Sequence, residues 1–162
     1  MEVNQMSKII PFLWFDSQAE EAANLYCSIF NNSKVNSISR YGEAGPLPAG
    51  TVMTVMFTLD GQEFFALNGG PIFKFTEAIS MFVNCGTQAE VDELWRKLSE
   101  GGEEGQCGWL KDKFGLSWQI VPTGMFEYIN GKDAEGSRRA MKEMLQMKKL
   151  DLEKLRVAYQ QN

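Results

Sequence analysis

The readable pattern opens with Lys8-Ile9-Ile10-Pro11-Phe12-Leu13-Trp14-Phe15, an almost unbroken apolar run. Such a run fits a strand buried on both faces. Asp16 ends it. Ser17-Gln18-Ala19-Glu20 then has the form of a capping box, in which the hydroxyl accepts an amide of the first turn and the glutamate reaches back. Ala22, Leu25, Tyr26 and Ile29 recur at helical spacing, which predicts a helix to about Phe30, stopped by Asn31-Asn32-Ser33. Strands are predicted from about Lys34 to Tyr41, Thr51 to Leu59 and Gln62 to Asn68. The last two meet at Asp60-Gly61, a pair suited to the positive φ angles of a tight hairpin. The stretch 42–50, rich in Gly and Pro, reads as a loop.

The pattern then starts again. Gly69-Gly70-Pro71 to Thr76 reads as a linker carrying Phe73 and Phe75, and Ala78 to Asn84 as an apolar strand. Thr87-Gln88-Ala89-Glu90 is a second capping box, opening a helix to about Glu100 that Gly101-Gly102 closes. A short strand pair is predicted near Cys107 to Lys111 and Leu116 to Val121, turned by Asp112-Lys113-Phe114-Gly115. One more strand, near Glu103 and Glu104, is barely visible. After Pro122 the pattern turns helical, about Ala134 to Met147 and Asp151 to Gln160, with stripes at Met141, Met144, Leu145 and at Leu152, Leu155, Tyr159.

The matched tetrads, each after an apolar strand and before further strands, make internal duplication the better explanation. Under that alignment Ile10, Phe12 and Trp14 correspond to Ser80, Phe82 and Asn84, and Phe65 to Gln119. The expected fold class is α+β. Two tandem βαβββ modules, about 8–70 and 78–122, form a curved, cup-like mixed sheet with helices outside. They make a single domain over 1–125, followed by a C-terminal helical extension over 126–162.

Composition narrows the chemistry. The 162 residues contain no histidine, which removes histidine-based catalytic triads and the usual ligand of catalytic zinc and non-haem iron. Acid–base work is left to Asp, Glu, Lys, Tyr or Cys. The three cysteines, Cys27, Cys85 and Cys107, lie far apart and read as reduced thiols. A net charge of −5 with no basic tract argues against a nucleic-acid partner. No apolar run approaches the roughly 20 residues of a membrane helix. Met1 to Ser7 lack the apolar stretch of a signal peptide, so a cytoplasmic protein is expected.

Four segments carry a resemblance: Pro11-Phe12-Leu13-Trp14-Phe15-Asp16, Glu21-Ala22-Ala23, Ala66-Leu67-Asn68-Gly69-Gly70-Pro71 and Asp112-Lys113-Phe114-Gly115-Leu116-Ser117-Trp118. Together they closely resemble the PhnB-like branch of the vicinal-oxygen-chelate superfamily, which includes glyoxalases, bleomycin-resistance proteins and extradiol dioxygenases. Many relatives in this branch carry the label demethylubiquinone methyltransferase. The resemblance spans about residues 8 to 122. It implies paired βαβββ modules, frequent homodimers and a pocket in each cup. In metal-dependent relatives four residues hold the metal, and those positions fall near Ile10, Phe65, Ser80 and Gln119. Ile and Phe have no donor atom, and Ser and Gln are poor ligands for transition metals.

Phe12, Trp14, Phe65, Phe82 and Trp118 either line an apolar pocket or fill the core; Trp118 has the opposite parity to Gln119 and is the weaker candidate. Glu63, the one nearby carboxylate, and Gln119 either orient a polar ligand group or make structural hydrogen bonds. The expected ligand-pocket set is therefore Ile10, Phe12, Trp14, Glu63, Phe65, Ser80, Phe82 and Gln119. Asn68-Gly69-Gly70 either approaches a ligand through its backbone or makes a tight turn, and the turn is the better reading. The expected function is metal-free and cofactor-free binding of a small, largely apolar organic molecule. The alternative is an enzyme of the same superfamily, a lyase, isomerase or methyltransferase. Against methyl transfer, Asp16-Ser17-Gln18 follows the first strand with no glycine, and no G-x-G lies in a strand–loop–helix setting.

Overall fold

A computed structural model describes residues 7–161. The segment Met1 to Met6, part of the stretch read above as lacking an export signal, lies outside them. The chain forms two compact units that divide between Lys74 and Phe75. The first holds β1 (Phe12–Phe15), α1 (Ala19–Ile29), β2 (Lys34–Arg40), β3 (Val52–Leu59) and β4 (Gln62–Asn68). The second holds β5 (Met81–Cys85), α2 (Gln88–Ser99), β6 (Glu103–Glu104), β7 (Trp109–Lys111) and β8 (Ser117–Pro122). A 3₁₀ turn (Thr123–Met125) and helices α3 (Phe126–Ile129), α4 (Ala134–Met144) and α5 (Leu152–Gln160) complete the second unit.

Both units share one topology. The sheet orders are β1-β4-β3-β2 and β5-β8-β7-β6, each with its first strand parallel to its last and the remaining pairs antiparallel. Phe12 stands opposite Phe65, and Phe82 stands opposite Gln119, the pairing that the duplication implies. The expected α+β fold of two βαβββ modules is therefore present, as two four-stranded mixed sheets.

In the first unit α1 covers one sheet face. Ala19, Ala22, Ala23 and Tyr26 are buried on it, the three alanines letting the helix lie close to the strands. Leu13, Phe15, Val55, Phe57 and Ala66 are among the buried strand positions. The Tyr26 and Phe57 rings lie 6.4 Å apart, and burying each such ring contributes roughly 1.5–3 kcal/mol. At the hairpin between β3 and β4, Asp60 (φ 45°) and Gly61 (φ 82°) both take the left-handed conformation, as a type I′ turn requires.

Three expectations need correction. The first strand is shorter than its apolar run and is not buried on both faces: Leu13 and Phe15 are buried but Phe12 is 57% exposed. The run is apolar because its alternate residues face an open sheet surface. Ser17-Gln18-Ala19-Glu20 does not cap α1; the helix starts after Gln18, and Asn68 Oδ1 accepts the Ala19 amide at 2.8 Å. The second tetrad does cap, since Thr87 Oγ1 accepts from the Glu90 amide at 3.2 Å, while the Glu90 carboxylate accepts from Gly86 N. The C-terminal stripe is also displaced. Met141 and Leu145 are exposed, and α4 ends at Met144 rather than Met147.

The buried apolar side of the C-terminal segment is Met147, Leu150 and Leu155, which join Val121 and Met125 in one cluster. Gln88 fastens that segment to α2: its amide donates to Leu150 O and its carbonyl accepts from Leu152 N. Cys107 N and Gly108 N donate to Met147 O and Lys148 O.

Candidate ligand site

The sheet faces opposite α1 and α2 hold the predicted site residues. In the first unit, side chains alternate between the buried face and this open one, which puts Phe12, Trp14, Glu63, Phe65 and Leu67 together. The Phe12 and Phe65 rings stack with centroids 5.8 Å apart. Met56, opposite Phe65, extends the apolar patch. Ile10 is half-buried and precedes β1.

Trp14 is held by the turn that follows β4. Its indole N–H donates to Gly70 O at 2.9 Å, and its ring meets Phe73 edge-on at 5.0 Å. A Cβ on Gly69 would stand 2.2 Å from the Trp14 ring, so only glycine lets the indole lie there. The Glu63 carboxylate accepts from Ser7 N at 2.9 Å.

In the second unit the open face follows the strand register. Gln119 has Phe82 opposite it on β5 and Trp109 opposite it on β7. Gln119 Nε2 donates to Ser80 Oγ at 3.0 Å. Phe82 is 49% exposed. Trp118 lies on the other face, buried, with its indole N–H on Asp112 Oδ2 at 2.9 Å; its parity alone had placed it there. The other Asp112 oxygen accepts from Phe114 N and Leu116 N, and Gly115 takes φ 87°. The Asp112–Gly115 turn thus fixes where β8 begins, and with it the facing of Ser117 and Gln119.

Sequence reasoning missed Trp109, Lys111 and Ser117. Counting outward from that turn pairs Lys111 with Ser117 and Trp109 with Gln119, so the signal was available in the hairpin. Lys111 Nζ lies 2.6 Å from a Glu77 carboxylate oxygen. The hydrogen bond and charge of Glu77, with Glu103 adding to them, hold the ammonium above the ordinary lysine value; Lys111 in turn holds Glu77 below the usual carboxylate range.

The four positions at which the resemblance implies a metal do not fit one here. Ile10 and Phe65 offer no donor, and the Ser80 and Gln119 side chains bond to each other. Among the described residues no group of three or more Cys, Asp or Glu side chains could hold a metal ion. A separate cleft of about 390 Å³ in the first unit runs beside Leu47, Pro48 and Asn68 and includes none of the predicted residues.

Two βαβββ sheets with these open faces define a vicinal-oxygen-chelate fold, the fold of glyoxalases and bleomycin-resistance proteins. Residues 7–121 match the model of the family described as 3-demethylubiquinone-9 3-methyltransferase. The chain belongs to that family, within its PhnB-like branch. It is 42% identical to a putative 3-demethylubiquinone-9 3-methyltransferase, PhnB protein, from Bacillus cereus, over 72% of this chain and 100% of that one, with a TM-score of 0.67. A protein from Pseudomonas aeruginosa shares the fold at 22% identity and TM-score 0.57, over 69% and 94% of the two chains. So does the fosfomycin resistance protein FosX from Listeria monocytogenes, solved with Mn(II) and sulfate, at 13% identity and TM-score 0.50, over 76% and 95%. No protein of curated function matches the sequence. Among the described residues no helix is long and apolar enough to cross a membrane.

Proposed function

We propose that this protein binds a small, largely apolar organic molecule on the open faces of its sheets, and does so without a metal. One observation carries the reading: large apolar rings, Phe12 over Phe65 in one unit and Phe82 beside Gln119 in the other, stand exposed on the sheet faces opposite α1 and α2. Exposed aromatic surface beside a few fixed polar groups is how small-molecule sites are commonly lined. The donor chemistry at Ile10, Phe65, Ser80 and Gln119 supports binding without a metal.

Native mass spectrometry of freshly purified protein tests this. The expected spectrum carries an organic adduct that Phe12→Ala and Phe82→Ala reduce. Stoichiometric zinc, iron or manganese retained through dialysis against a chelator would refute the metal-free reading. The same proposal includes a cytoplasmic homodimer, which the family resemblance supports. Sedimentation velocity should give about twice the 18.3 kDa chain mass.

The family description favours a second reading, methyl transfer. The turn after β1, Asp16-Ser17-Gln18, lacks the glycine-rich loop that would cradle the methyl donor in the common methyltransferase fold. Calorimetry with S-adenosylmethionine separates the two readings, because micromolar binding would favour methyl transfer.

A further inference from the structure

We infer that the open face of the second sheet carries an amine subsite, a cleft in which Ser117, Glu103 and the face of Trp109 receive the protonated amino group of the bound molecule. The inference rests on the binding reading above and names the polar group that the ligand carries.

The geometry follows from the register. Ser117, Lys111 and Glu103 stand directly opposite one another across β8, β7 and β6, so they share a face. Gln119 and Trp109 form the next row of that face. A cleft of about 180 Å³ opens there, lined by Glu77, Glu103, Glu104, Trp109, Lys111 and Ser117 among others. It is smaller than the roughly 300–1,000 Å³ of a site for a whole drug-sized molecule, and suits one functional group.

Two independent features say which group. The first is Ser117. It is 1% exposed and is one of the residues that line the cleft, and its Oγ has no hydrogen-bond partner among the described residues. A buried hydroxyl left in this state carries a desolvation penalty that a bound polar group relieves. The second is charge. Lys111 is matched by Glu77 at 2.6 Å. Glu104 is engaged elsewhere, by the Trp95 indole N–H at 2.8 Å and by Lys148 at 3.9 Å. Glu103, directly opposite Lys111, draws on the same ammonium, so one lysine faces two carboxylates and the cleft is net negative.

A carboxylate or phosphate would meet repulsion there. A neutral hydroxyl would satisfy Ser117 but leave the excess negative charge of the cleft in place. An ammonium answers both features: its N–H groups donate to Ser117 Oγ and to the Glu103 carboxylate, and its charge rests against the half-buried Trp109 ring. The apolar body then lies along the neighbouring row, over Gln119 and Phe82.

Three probes with one body test the inference: 1-naphthylmethylamine, 1-naphthylmethanol and 1-naphthoate, measured against the full chain by equilibrium dialysis at neutral pH and low salt. The amine is expected to bind about fivefold or more tightly than the alcohol, with the carboxylate weakest. Glu103→Gln, a surface change that keeps the fold, should reduce that preference to about twofold or less while leaving the alcohol within about twofold. Ser117→Ala should weaken the amine by about three- to tenfold. Binding of the amine should also shift the Trp109 indole N–H resonance, assigned by its loss in Trp109→Phe. An alcohol or carboxylate that binds as tightly as the amine overturns the subsite, as does an amine affinity indifferent to Glu103→Gln and Ser117→Ala; the binding reading then stands. No saturable binding of any probe overturns both.

Discussion

The replacement of Asn68 by alanine isolates what holds α1 to its sheet. Asn68 ends β4 and is 6% exposed. Its Oδ1 accepts the Ala19 amide at 2.8 Å and its Nδ2 donates to Val52 O at 3.1 Å. One side chain therefore caps a helix and closes the start of β3. Alanine removes both bonds. A lost cap costs about 1 kcal/mol. The Val52 carbonyl, left without this donor in a partly buried place, adds about 0.5–1.5 kcal/mol. The small void left by the amide brings the expected loss to about 2–3 kcal/mol.

Ser17→Ala, at the position that sequence pattern assigns as the cap, should fall within about 0.5 kcal/mol, because Ser17 is exposed and its hydroxyl caps nothing. Thr87→Ala removes a cap that forms and should cost about 1 kcal/mol. The assay is urea unfolding of the full chain by circular dichroism. Midpoint and slope are fitted together, because a changed slope would mean that one unit unfolds before the other. A Ser17→Ala cost equal to that of Asn68→Ala would refute the reasoning, as would an Asn68→Ala cost below that of Thr87→Ala.

Other consequences follow from the second unit. Burial, with the charge of Glu90 adding to it, pushes the Cys85 thiol from 9.0 up to about 11. The folded state therefore keeps the proton longer than the unfolded state. The resulting stability is present in full below pH 9 and is lost as pH rises towards 11. At pH 8, native iodoacetamide labelling should accordingly spare Cys85, and its modification at the unfolded rate would contradict its buried position. Gln88→Ala cuts both bonds that fasten 150–152 to α2 and should raise amide exchange at Leu150 and Leu152 well before that at Ile120; exchange that rises equally at all three would mean the segment is not held locally. Gly69→Ala drives a Cβ into the Trp14 ring and should cost several kcal/mol, read as a lowered Tm with altered near-ultraviolet dichroism; an unchanged Tm would rule out the packing described for Trp14.

Much of the architecture could be read from local signals. Helical spacing marked α1, a capping box and a closing Gly-Gly marked α2, and Asp60-Gly61 marked the first hairpin. The repeated tetrads aligned the two halves well enough to match Phe12–Phe65 with Phe82–Gln119 before any strand pairing was known. Parity alone separated Trp118 from Gln119. These succeed because backbone conformation, turn chemistry and side-chain alternation depend on near neighbours in the chain.

The same signals misled wherever a partner distant in sequence decided the outcome. Ser17 and Thr87 begin nearly identical tetrads, yet only Thr87 caps its helix, because in the first unit Asn68 arrives from β4 to take the helix amide. Lys8 to Phe15 reads as a doubly buried strand, since hydrophobicity reports that a side chain resists water and not what covers it. Met141 and Leu145 share the apolar character of Met147 and Leu150, but the hydrogen bonds of Gln88 and of the Cys107–Gly108 turn hold Met147 and Leu150 where they pack against Val121 and Met125. Local patterning was enough for most of the elements, their duplicated order and the absence of histidine. The tertiary structure decided which face stays open, and it placed Trp109, Lys111 and Ser117 beside Gln119, because strand register brings together residues that no local pattern connects.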